Sequence, residues 1–157
     1  MGVRPIVKVP HDVLRRRALP VRRITASLVA LIGDMGETMV AARGIGLAAP
    51  QIGVSKRVIV VDIGDERGRI ALVNPVIVHR SGSEQEWEGC LSIPEQYGLM
   101  DRAVDVHVRG LNAQGQAIDV HASGLLARVL QHEIDHLNGV LLFDHALDWE
   151  DQRDSKE

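Results

Sequence analysis

The chain has 157 residues, 45% of them apolar and 25% charged, with a net charge of -3. That length supports one domain with a real core (residues 1–157) and is too short for two ordinary ones. The near-neutral charge and 3% aromatic content argue against a nucleic-acid partner, and no stretch approaches the ~20 apolar residues of a membrane span, so neither partner class is expected.

Residues 4–21, punctuated by Pro5, Pro10 and Pro20, read as extended or irregular, with no apolar run suited to a signal peptide. From Thr25 the pattern turns helical. Leu28, Leu31, Ile32, Met35 and Met39 recur at spacings of three and four, Thr25 or Ser27 could cap the start, and Gly44 could end it. Residues 44–53 (GIGLAAPQIG) contain three glycines and a proline, the composition of a tight loop whose backbone approaches something closely. Val- and Ile-rich runs at 57–63 and 71–78 predict strands, and a polar stretch at 80–88 leads to Cys90. Val104, Val106 and Val108 alternate with polar residues as in a half-buried strand. Residues 112–115 predict a hairpin loop and 117–121 the returning strand. The acidic tail, 148–157, is expected to be poorly ordered.

The last helix carries the strongest signal. Ser123 is a candidate cap. Leu125, Leu126, Val129, Leu130, Ile134 and Leu137 give it a broad apolar face, and Gly139 could end it. A helix this apolar belongs in a core, yet it carries His132, Glu133, Asp135 and His136, and buried polar groups are costly without partners. His132 and His136, four residues apart, project from one helix face and can converge on one ion, and Glu133 completes an H-E-x-x-H run. His11, His79, His107, His121 and His145 lack such a context and read as surface or hydrogen-bonded histidines.

An open catalytic site needs a third ligand. The protease continuation H-E-x-x-H-x-x-G-x-x-H finds Gly139 but then meets Leu142 instead of histidine, and Glu150 lies in the short acidic tail. Cys90, the only cysteine, lies in Glu88-Gly89-Cys90-Leu91-Ser92 and is the better third ligand. Its being alone excludes an internal disulfide and fits a reducing, cytoplasmic location. A Cys-His-His set with one open position suits zinc or ferrous iron. Two other readings use the same helix: a zinc metalloprotease, against which Leu142 weighs, and a structural metal site, which normally takes four ligands.

Three stretches together resemble the peptide deformylase family, in order along the chain: residues 44–51 (GIGLAAPQ), 88–92 (EGCLS) and 131–136 (QHEIDH). The resemblance implies an α+β fold, with antiparallel or mixed sheets packed around a central metal-binding C-terminal helix and one N-terminal helix. It implies hydrolytic removal of the N-formyl group from the formylmethionine of new polypeptides, with release of formate. The implied ligands of one divalent ion are Cys90, His132 and His136. Fe²⁺ is expected in the cell, and Zn²⁺, Ni²⁺ or Co²⁺ in purified protein. Glu133 would be general base and then general acid, while the Gln51 amide and the Leu91 N–H would stabilise the oxyanion. Gly44 and Gly46 would let the substrate pair with the loop as an added strand, and Ile45, Val129 and the stem of Arg128 would hold the methionine side chain. Glu88 and Arg102 could pair behind the cysteine, and Tyr97 stands where substrate contacts vary. A formylmethionyl peptide is the implied partner of a monomeric enzyme, and the short acidic tail puts ribosome contact in doubt.

Overall fold

The computed structural model describes residues 2–153. It is a mixed α+β structure with antiparallel sheets. Helix α1 (Ala26–Ala41) is followed by strands β1 (Gly46–Ala48), β2 (Val58–Val61), β3 (Ile70–Ser81), β4 (Glu84–Cys90), β5 (Ile93–Arg102), β6 (Asp105–Leu111) and β7 (Ala117–Ser123). Helix α2 (Gly124–Leu137), the short helix α3 (Leu142–His145) and strand β8 (Asp148–Asp151) complete the order. Single 3-10 turns lie at Asp12–Arg15 and Ala49–Ile52.

Two sheets result, one ordered β1-β2-β3-β6-β7 and the other β4-β5-β8, with each neighbouring pair antiparallel. Strand β2, Val58-Ile59-Val60-Val61, is buried on both faces. Its alternation sends Ile59 and Val61 towards Leu126, Leu130 and Leu137 of α2. Val58 and Val60 point the other way, to Leu28, Met35 and Met39 of α1. The continuous Val/Ile run is thus what a strand between two helices requires. A third apolar cluster joins the Asp12–Arg15 turn to β5 and α3.

Helix α1 begins as expected, with the Thr25 hydroxyl accepting from Leu28 N–H at 3.2 Å. It ends earlier than Gly44, at Ala41, and Arg43 rather than a glycine takes the left-handed position (φ 58). Ser123 precedes α2, but its hydroxyl donates to Asp105 and does not cap the helix. Gly139, at φ 73 and packed against the Arg15 carbonyl, closes the helix as its sequence position implied. The hairpin at 112–115 is present, joining β6 to β7.

The polar stretch at 80–88, to which the sequence assigned no element, is largely strand β4, paired with β5 from Glu84↔Arg102 to Gly89↔Tyr97. One expectation fails. The tail at 148–157, expected to be poorly ordered, begins as strand β8, paired from Gln96↔Asp151 to Leu99↔Asp148. Trp149 holds it there. Its indole lies over Gly98, where a Cβ would approach ring carbon within 2.9 Å, and its N–H donates to Gln96 at 3.1 Å. Residues 154–157 lie outside the described residues.

Candidate active site

Strand β4 ends at Cys90, and the chain turns through Leu91 and Ser92 into β5. This turn faces α2 across a cleft of about 550 Å³. Cys90 Sγ lies 3.3 Å from His136 Nε2, and the ligand atoms of Cys90, His132 and His136 all fall within 4.8 Å of one another. Among the described residues this is the group of His, Cys, Asp and Glu side chains that could hold a metal ion. The donor set fits one. Two ligands at about 2.3 Å (S) and about 2.1 Å (N) in tetrahedral array lie ~3.6 Å apart, close to the observed sulfur–nitrogen spacing.

The helix presents these groups at the cost of burying them. His136 and Glu133 are buried, and His136 Nδ1 and Glu133 Oε1 have no hydrogen-bond partner among the described residues. Burial pulls His136 well below the usual imidazole range, so it stays neutral, the form a metal requires. Burial raises the Glu133 carboxyl to about 7. For His132, burial opposes protonation, but the neighbouring Glu133 charge and the Cys90 and Glu88 contacts outweigh it and raise its pKa.

The support behind the cleft is a charge network. Glu88 accepts from Arg102 Nε and Nη2, both at 2.9 Å, from Arg128 Nη1 at 2.7 Å, and contacts His132 Nδ1 at 3.0 Å. Arg102 also donates to Asp135 at 2.6 Å. Although burial favours a neutral Glu88, the bonds to His132 and Arg102 win and lower it to about 2. The suggested Glu88–Arg102 pair is therefore present and buried. Sequence reasoning missed that Arg128 and Asp135 belong to the same network and that Gln131 bonds both the N–H and C=O of Ala103. The partners lie 28–40 residues apart, beyond any local pattern.

The Gly-rich loop forms the opposite wall. Gly46 sits on β1 directly against α2. A Cβ there would lie 2.5 Å from Glu133 Oε2 and 2.8 Å from Val129 Cγ1. Gly44 leaves the same kind of space for Leu91, whose Cδ1 would be 2.8 Å from an added Cβ. Gln51 is buried in the 3-10 turn. Its Oε1 accepts from Ala48 N–H at 2.9 Å, and its Nε2 donates to Ser92 Oγ at 3.2 Å and approaches Cys90 Sγ at 3.7 Å. Ile45, Leu91, Arg128 and Val129 all line the cleft. So does Leu125, which is half exposed at the rim and not part of the buried face of α2. The Arg128 head is held by Glu88 and by the carbonyls of Met100 and Glu84, which leaves its stem along the cleft.

Residues 3–152 match the family model for polypeptide deformylase. The chain belongs to the polypeptide deformylase family. A peptide deformylase of Halothermothrix orenii is 52% identical over 147 residues, covering 94% of this chain and 96% of its own length. The crystal structure of the Thermotoga maritima deformylase superposes with a TM-score of 0.90 at 40% identity, covering 94% of this chain and 100% of that one. A class I type b deformylase of Acinetobacter baumannii, crystallised with Met-Ala-Ser bound, has a TM-score of 0.85 at 37% identity, covering 91% and 98%. This deformylase is accordingly a metal-dependent hydrolase that removes the N-formyl group from new polypeptides. No helix among its described residues is long and apolar enough to cross a membrane.

Proposed function

We propose that deformylation proceeds in the cleft between β1 and α2, with Glu133 moving the proton and with Cys90, His132 and His136 holding one divalent ion. The observation that carries this reading is the convergence of those three donors beside a buried, unpartnered Glu133 oxygen. When bound, the ion supplies Lewis-acid polarisation of the water and of the formyl oxygen. Thiolate and imidazole donors suit zinc or ferrous iron, and membership of the deformylase family points to Fe²⁺ in the cell, with Zn²⁺, Ni²⁺ or Co²⁺ in purified protein.

Glu133, raised to about 7 by burial, is poised to take a proton from the attacking water and return it to the leaving amine. Its unpartnered Oε1 is free to do this. Gln51 Nε2 and the Leu91 N–H stabilise the oxyanion from the two walls of the cleft. The substrate backbone runs beside residues 44–46, where glycines leave room, and the methionine side chain lies against Ile45, Val129 and the Arg128 stem. The Met-Ala-Ser bound to the Acinetobacter baumannii relative is the kind of peptide this cleft would release. Residues 1–157 act as one catalytic domain around α2, as a cytoplasmic monomer.

The test is formate release from a formyl-Met-Ala-Ser peptide with metal content measured in parallel. Cys90→Ala should lose both metal and activity. A Cys90→Ala protein that keeps its full metal complement removes Cys90 from the ligand set.

A further inference from the structure

The net charge of -3 conceals a sharp local imbalance. Residues 15–25 hold Arg15, Arg16, Arg17, Arg22 and Arg23 and no acid, and residues 52–61 hold Lys56 and Arg57 and no acid. Seven of the 18 basic residues thus fall in two short stretches, and the fold brings those stretches together. Leu19 bridges Lys56; its N–H donates to Ser55 O at 3.1 Å and its carbonyl accepts from Arg57 N–H at 3.0 Å. The strap is pinned again by Ala18 N–H on Leu137 O at 2.8 Å. Asn74 bonds both the N–H and the C=O of Val21, at 2.9 and 2.8 Å.

The backbone is fixed while the cations stand free. Arg17, Arg22, Arg23 and Lys56 are exposed, and none of their side chains has a hydrogen-bond or ion-pair partner among the described residues. Arg22, Arg23 and Lys56 surround a surface hollow of about 310 Å³, with Thr25 and Ser55 on its wall. Helix α1 starts at this hollow with no acid in its first turn, so its positive end adds to the field. Arg57 turns inward to Leu137 O and Asn138, and burial, with the Arg17 charge second, lowers its pKa. Cations held this close without anions are mutually repulsive in the free protein and relieved by a polyanion. None of these residues lines the catalytic cleft.

We propose that this strap is a docking surface for the phosphate backbone of duplex RNA. The hollow and its cations contain no aromatic side chain, so the contact is with phosphates and not with stacked bases. Leu19 is the one large apolar side chain exposed on the wall of the hollow, far less than the apolar face with which an amphipathic helix enters a membrane surface. An enzyme acting on new polypeptides works where the abundant polyanion is structured RNA. Whole-chain charge, which pointed away from nucleic acid, averages over this clustering.

The experiment is fluorescence anisotropy of a labelled 20-base-pair RNA duplex titrated with metal-loaded enzyme. The wild type should bind. With about four phosphates neutralised, affinity should fall on the order of 100-fold between 50 and 200 mM salt. A variant carrying R17Q, R22Q, R23Q and K56Q should bind at least tenfold more weakly, and the pair R22Q/R23Q should lie between. A control with R67Q and R80Q should bind as wild type. All should release formate from a short formyl peptide at the wild-type rate. The proposal is overturned if the wild type does not bind the duplex, if the four-site variant binds equally well, or if the strap binds anionic vesicles and not RNA.

Discussion

Glu88 Oε1 lies 3.0 Å from His132 Nδ1, and the same carboxylate receives Arg102 and Arg128. One strand residue therefore fixes the imidazole orientation of a helix residue 44 positions away and leaves Nε2 directed to the cleft. Carboxylate partners of this kind orient ligating histidines and raise their basicity. Glu88→Gln should weaken metal binding by about 10- to 100-fold, as measured by competition with a chelator, and should lower kcat with it.

The same group gives the protein an acid limit. Its pKa is lowered from 4.5 to about 2 in the folded state. Between these values the unfolded chain binds more protons than the folded one, so stability rises with pH across that window. The contribution is fully present above about 4.5 and lost as pH falls through about 2. Urea midpoints measured from pH 6 to pH 3 should fall, and the fall should be shallower in Glu88→Gln. Equal slopes would mean that other carboxylates dominate.

Gly46 is where the loop and the helix meet most tightly. Gly46→Ala places a Cβ 2.5 Å from Glu133 Oε2 and 2.8 Å from Val129 Cγ1, so the carboxyl must move. A displacement of this order at a reacting group costs up to ~100-fold in rate. The expected result is a fall in kcat with metal content unchanged, read by formate release and metal analysis on the same sample.

Strand β8 makes a separate prediction about stability. Trp149 is half buried over Gly98, against Phe143 at 4.5 Å between ring centroids, and donates to Gln96. Trp149→Ala should cost about 1–2 kcal/mol, seen as a lower thermal midpoint. Gln96 and Tyr97 line the cleft from the adjoining strand, so KM for longer formyl peptides should rise as well.

Helix α1, the hairpin at 112–115 and the H-E-x-x-H helix were legible because each depends on local signals: period, a capping threonine, turn residues, two histidines one turn apart. Strand β4 was not legible. Glu84, Gln85 and Glu86 are exposed and polar and Trp87 is exposed beside them, so no alternation announces a strand, and only its pairing with β5 defines it. Strand β8 failed for the same reason, since its order depends on Trp149 meeting Gly98, 51 residues earlier in the chain. In the site, Glu133 and the histidines stood out as polar groups on an apolar helix, and Cys90 as the third ligand once Leu142 ruled out the protease continuation. The shared network of Arg128, Gln131 and Asp135 was not legible, although Asp135 stood out on the apolar helix and Arg128 as a pocket residue. Their partners Glu88, Ala103 and Arg102 come from other strands.

The central claim is that Glu133 moves the proton and is not needed to hold the metal. Its most direct test is Glu133→Ala, with formate release from formyl-Met-Ala-Ser and metal content measured on one preparation. The predicted result is a full metal complement and a rate lower by about 10²- to 10⁴-fold. A metal-loaded Glu133→Ala protein that releases formate near the wild-type rate would contradict the mechanism.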